Sequence, residues 1–160
     1  MKAKKVSTLP IFSLKLVRHS RLKYPAFQIH KHEEAGQIFQ AYLSDMTVEN
    51  MAVLLVDGQM NYLGVVTVSI GSMRSTHATM RDVLAPVIVH RAHAFILGHN
   101  HLSGDVTPSP EDIKFTEELK EASELMACPL LDHIIVSSGL NREHYSFHDH
   151  GLFPNDSGTT

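Results

Sequence analysis

Two histidines, His99 and His101, stand directly after the apolar run Ala94–Gly98, and eleven residues further on comes Asp112. In extended chain, residues i and i+2 point to the same side, so the two imidazoles can converge on one point just beyond the strand. Ser109-Pro110-Glu111-Asp112 reads as a helix start, with Ser at the N-cap, Pro at the first position and an acid at the third. A strand end and the start of the next helix can lie close together, so the Asp112 carboxylate can complete a three-ligand set. Two His and one carboxylate leave a fourth tetrahedral position open, which is the arrangement of a catalytic zinc and not of a structural one. Glu49 heads the run Met51–Asp57 and can serve as the base for water at such an ion. It would take a proton as water adds to a carbonyl and return it to the leaving amine. The Ser109 hydroxyl, or a nearby N–H, can stabilise the developing oxyanion.

Each of these residues has a plainer role open to it. Asp112 is also the third-position acid of a capping box, worth about 1 kcal/mol to the helix with no metal present. Ser109 is an N-cap in any case, Glu49 suits a solvated strand end, and His99 and His101 suit a polar strand cap. Among the other histidines, His148-Asp149-His150 repeats the ligand spacing but lies near the C-terminus with no acid at a helix entrance after it. His30 and His32 fall at a helix start, and His77, His90 and His93 fall on or beside one helix, positions that suit surface or packing roles. Asp132 and His133 begin a strand beside the site and are candidates for orienting a ligand imidazole. Cys128, the single cysteine, precedes Pro129 at a helix end and reads as an inert buried thiol.

The positioning elements follow from periodicity. Ala35, Ile38, Phe39 and Tyr42 fall on one face at 3.6 spacing and predict a helix over His30–Leu43. Met51–Asp57 predicts a buried strand, hairpin-linked through Gly58 to a second, β-branched strand over Tyr62–Ile70. Thr76 is the expected cap of a helix over His77–Ala92 that Pro86 should kink or break. The helix from Ser109 should stop near Ala127, before Pro129. His133–Ser137 and Tyr145–Phe147 complete the strands, Ile11–Val17 is a candidate edge strand, and residues 154–160 should fray. Strands interleaved with helices predict an α/β or mixed α+β fold.

The chain has 160 residues, 43% of them hydrophobic, with a formal net charge of −3. That length supports one core, and that composition excludes a disordered tail. One cysteine excludes a disulfide scaffold, and with no signal-peptide pattern at Met1–Lys15 it points to a reducing, cytoplasmic setting. No apolar stretch approaches the length of a membrane span. Residues 1–32 carry eight of the 14 Lys and Arg and no acid; residues 33–160 carry six against all 17 acids, a net charge of −11. The organisation expected is a basic arm over residues 1–30, a domain over 31–153 and a short tail. The arm is either a solubilising extension or a contact for DNA or another anionic partner.

Taken together, Glu49, His99-Asn100-His101-Leu102-Ser103-Gly104 and Pro108-Ser109-Pro110-Glu111-Asp112 resemble the JAMM (MPN/JAB) metalloprotease motif. With Leu131-Asp132-His133-Ile134-Ile135-Val136 added, the chain from about Glu34 to Phe153 looks like the RadC branch of that superfamily. The resemblance implies a deaminase-like fold around a mixed sheet. It also implies a zinc site of His99, His101, Asp112 and a water, with Glu49 as base and Ser109 as oxyanion helper. The implied activity is cleavage of a peptide or isopeptide amide in a peptide or protein substrate. The alternative is a non-catalytic zinc-binding module that docks DNA-repair or other DNA-processing proteins, or DNA itself. Two departures stand out. Leu102 replaces the proline usual after the second His, which loosens the loop. Longer RadC proteins also carry an N-terminal helix-hairpin-helix region, and residues 1–30 are too few for that module and a linker.

Overall fold

The computed structural model describes residues 16–23, 32–71, 78–139 and 142–153. Its elements run α1 (His32–Leu43), β1 (Asn50–Val56), β2 (Tyr62–Ile70), α2 (Met80–Val89), β3 (Ala94–His101), α3 (Pro110–Leu125), β4 (Leu130–Ser137) and β5 (His144–Ser146). The strands form one sheet in the order β2-β1-β3-β4-β5. The β3–β4 pair is parallel and the other pairs are antiparallel. Parallel neighbours need a long crossover, and α3 supplies it. This is the mixed α+β fold that the alternation of elements predicts.

The central strands β1 and β3 are buried on both faces, which is why each is built on an apolar run, Met51–Val56 in β1 and Ala94–Leu97 in β3. Met51, Val53, Leu55, Phe95 and Leu97 pack on one face against Val83 and Val87 of α2 and Leu119 of α3. Ala52, Leu54, Val56, Ala94 and Ile96 pack on the other against Ala35, Ile38, Phe39 and Leu43 of α1. Among the described residues no helix is long and apolar enough to cross a membrane.

The structure corrects four expectations. β3 does not end at Gly98; it continues through His101, because Asn100 and His101 pair with Val136 and Ser137 of β4. The histidine pair therefore lies in the sheet and not in a loop. β4 starts at Leu130, directly after Pro129, and not at His133. The N-cap of α2 is Thr79, which closes a reciprocal capping box with Asp82. Pro86 lies inside α2 without ending it, since Val83 and Val87, one turn apart and both buried, hold the helix to the sheet on either side of the ring. The expected cap Thr76 and start His77 lie outside the described residues, as do most of the arm, Leu140, Asn141 and residues 154–160. Of the candidate edge strand, Leu16 and Val17 are exposed and form no strand, and Ile11–Lys15 lie outside the described residues.

Gly98 sets how closely α1 approaches the sheet. A Cβ built there would overlap the ring of the fully buried Phe39. Gly98→Ala should therefore destabilise the fold by about 1–3 kcal/mol, the usual cost of overpacking a filled core. A drop in thermal midpoint is the expected readout, and an unchanged midpoint would show that α1 yields freely.

Candidate metal centre

The pleat of β3 builds the first half of the site. Gly98 and Asn100 face α1, while His99 and His101 share the opposite face. Their Nε2 atoms meet at 3.0 Å. Each Nδ1 is committed elsewhere. That of His101 donates to the carbonyl of Asp105 at 2.8 Å, and that of His99 lies 2.8 Å from His133 Nε2. The Asp105 contact exists because the chain turns back on itself after His101: Gly104, at φ +82°, donates to the His101 carbonyl at 3.3 Å. That is a left-handed conformation in which glycine has no Cβ to clash. Leu102 is exposed at this turn.

The helix start of α3 builds the second half. Ser109 and Asp112 form a full capping box: Ser109 N and Oγ donate to Asp112 Oδ2 at 2.9 and 2.6 Å, and Asp112 N donates to Ser109 Oγ at 3.1 Å. The carboxylate reaches the histidines as well. Oδ1 lies 3.3 Å from His99 Nε2, and Oδ2 lies 3.5 Å from His101 Nε2. The two roles open to Asp112 therefore do not compete, because the cap is made on Oδ2 and Oδ1 is turned to the site. Ser109 is the N-cap, and its hydroxyl proton is engaged with Asp112.

Among the described residues, His99, His101 and Asp112 are the group of three whose donor atoms converge as a metal site requires, all within 4.8 Å of one another. Two imidazole nitrogens and one carboxylate oxygen suit zinc. The His99 side chain is 7% exposed, while those of His101 and Asp112 retain 16% and 17%, so the centre is walled on one side and reachable on the other.

Burial and charge divide the protons unequally. Desolvation pushes the His99 imidazole down to about 4, opposed by the Asp112 charge and helped by that of His101. His101 is raised above the ordinary 6.5, chiefly by its hydrogen bond to Asp112 and with smaller help from the Asp105 carbonyl and the charge of Glu49. Burial would raise Asp112, but His101, His99 and the Ser109 donors outweigh it and hold the carboxyl well below the usual range. Burial, above all, holds His133 well below the ordinary 6.5. His99 is therefore the harder of the two imidazoles to protonate and His101 the easier, while Asp112 stays ionised to lower pH than an ordinary carboxyl.

Glu49 lies one residue before β1, half-buried, with its carbonyl accepting Gly71 N at 2.7 Å. The antiparallel pairing Met51↔His99, continued two residues past the ladder, sets Glu49 opposite His101 and on the same face of the sheet. Asn100, which sequence reasoning passed over, fixes that placement from the other face. Its Oδ1 accepts Asn50 N at 2.7 Å, and its Nδ2 donates to Val48 O at 3.2 Å, so both neighbours of Glu49 are tied to β3. Its signal was available: a residue between two same-facing ligands in extended chain must point away from them.

The remaining candidates separate. His133 contacts His99 directly, whereas Asp132, fully buried, accepts from His133 N, Ser146 Oγ and His148 N and so anchors the C-terminal turn. His150 stacks on Tyr145 with ring centroids 3.9 Å apart and contacts the Ser146 carbonyl through Nδ1, apart from the three-residue centre. His90 caps α2 through Pro86 O. Cys128 is buried in the core, and its thiol is raised by desolvation.

The chain belongs to the RadC-like JAB domain family, which matches residues 29–152. It is similar to a UPF0758 protein of Chlorobium chlorochromatii (strain CaD3), 35% identical over 154 residues that make up 94% of this chain and 66% of that protein. A UPF0758 protein of Pelobacter propionicus is 42% identical over 114 residues, 71% of this chain and 48% of that protein. One of Trichodesmium erythraeum is 43% identical over 111 residues, 69% and 46% of the two. The chain thus spans between about half and two thirds of the length of these relatives.

Two outcomes follow from the geometry. Asp112→Asn keeps an amide oxygen for the Ser109 donors but loses the charge toward the histidines. Its metal-free stability should stay within about 1 kcal/mol of the parent. The rise in melting temperature on adding zinc, which reports binding to the folded state, should disappear. Zinc-induced stabilisation equal to that of the parent would make Asp112 a cap alone. Secondly, zinc must displace the His101 proton. Because that pKa is raised, the apparent affinity should fall about tenfold per unit as pH drops below it, with one proton released, and level off above it. His99 adds a second proton only toward pH 4. Chelator competition between pH 5 and 8 measures the slope; a flat profile contradicts it.

Proposed function

We propose that this chain is a zinc-dependent hydrolase of the JAMM type that cleaves a peptide or isopeptide amide. The observation that carries the reading is the meeting of two imidazole Nε2 atoms 3.0 Å apart with a carboxylate oxygen 3.3 Å away, at the reachable end of a buried strand. His99, His101 and Asp112 would hold the ion, which when bound supplies Lewis acidity toward water and a carbonyl oxygen. Glu49 is the base: it takes a proton from the attacking water and passes it to the leaving amine. Asn100 keeps Glu49 at that station by tying down its two neighbours. Ser109 holds the Asp112 carboxylate, and help to an oxyanion from this residue requires its hydroxyl to exchange that bond.

Glu49→Gln tests the reading. The variant should fold and bind about one zinc per chain as the parent does, yet lose at least a hundredfold in cleavage of a responsive sequence from a peptide library. Undiminished cleavage would remove Glu49 from the mechanism.

The charge split supports a second reading, a zinc-bearing module that docks DNA or DNA-processing proteins through the basic residues before position 33. It expects a folded, zinc-loaded chain that cleaves no peptide and binds DNA with a steep salt dependence, lost when residues 1–23 are removed.

A further inference from the structure

We propose that Thr116 is a positioning residue for the metal centre, orienting His99 through His133 and Asp112 through its carbonyl. Thr116 lies one helical turn after Asp112 on α3 and is buried at the junction of α3 with β4. Its hydroxyl is 2.6 Å from the Asp112 carbonyl oxygen and 2.6 Å from His133 Nδ1. His133 Nε2 is in turn 2.8 Å from His99 Nδ1.

The direction of every bond in this series is set from one end. A carbonyl oxygen only accepts, so the single Thr116 proton points to Asp112. The contact with His133 then needs Nδ1–H as donor. A neutral imidazole has one N–H, so His133 Nε2 is bare and accepts from His99 Nδ1–H. That leaves His99 Nε2 with its lone pair turned to the site, which is what a metal ligand must offer. His101 Nδ1 donates directly to the Asp105 carbonyl, so the proton that a cation displaces from this imidazole is the one on Nε2. Reversing any link would bring two N–H groups, or two lone pairs, face to face in a dry interior. Thr116 therefore joins the two halves of the centre, since the same hydroxyl orients the β3 ligand and braces the turn of α3 that carries Asp112.

This inference rests on the zinc reading above, and the test separates the two. Thr116→Val removes the hydroxyl at nearly constant volume, Thr116→Ala is the smaller side chain, and Thr116→Ser restores the hydroxyl. Long-range proton–nitrogen NMR on the metal-free full chain reads which nitrogen of His99 carries the proton, and chelator competition reads its affinity for zinc alone. The parent and Thr116→Ser should show His99 protonated at Nδ1. Thr116→Val and Thr116→Ala should shift that proton toward Nε2 and lose about 10- to 100-fold in zinc affinity, the usual effect of removing an outer-shell partner. Folding is checked by circular dichroism; if the valine variant fails to fold, the alanine variant carries the comparison. An unchanged His99 tautomer with zinc affinity within about twofold of the parent overturns the proposal. A parent that binds no zinc overturns the metal reading, and the tautomer comparison still decides the role of Thr116.

Discussion

The last residues of β3, from Gly98 to His101, are extended chain paired with β4 throughout and with β1 as far as His99, and the site depends on the pleat this imposes. A central strand cannot rotate its residues independently, so alternate side chains are committed to opposite faces. On one face Gly98 admits the Phe39 ring, and Asn100 binds the backbone on either side of Glu49. On the other, His99 and His101 converge. The same four residues thus position the helix behind the sheet, Glu49 beside it and two of the three converging side chains. A one-residue slip against β1 would exchange the two faces and destroy all of this at once.

Polar groups at this end of the sheet are buried, and burial is costly unless each finds a partner. The structure meets the cost by giving shared groups two tasks. One Asp112 oxygen closes the helix cap while the other faces His99. Asp132 gathers three donors and holds the C-terminal turn against the strand that carries His133. His133 stacks on Phe147 with ring centroids 4.7 Å apart, so core packing and hydrogen bonding fix the same imidazole. The charge balance follows from geometry. Burial lowers the His99 imidazole, and the carboxylate beside the less buried His101 raises it, so His101 is the imidazole at which a cation competes with a proton.

The convergence of His99, His101 and Asp112 was legible in the sequence because it rests on local rules: i,i+2 alternation in extended chain, and the third position of a Ser-capped helix. Both survive folding unchanged. The extent of β3 was not legible, since His-Asn-His next to Ser-Gly-Asp reads as loop until pairing with β4 overrides that preference. The start of α2 was visible in Thr79-x-x-Asp82, but Thr76 drew the assignment. Pro86 does not break α2, where two buried valines hold the helix on either side of the ring. Asn100 and Thr116 were missed for a different reason. Their roles depend on partners 50 and 17 residues away that only the fold brings near.

The central claim is that His99, His101 and Asp112 hold one metal ion, and the most direct measurement is X-ray absorption at the zinc edge on full chain purified without chelators. The account predicts about one zinc per chain in an environment of nitrogen and oxygen only, with two imidazoles in its shell. Loss of that spectrum in the His99→Ala/His101→Ala double variant should follow. A double variant that keeps stoichiometric zinc with an unaltered spectrum would place the metal elsewhere and contradict the account.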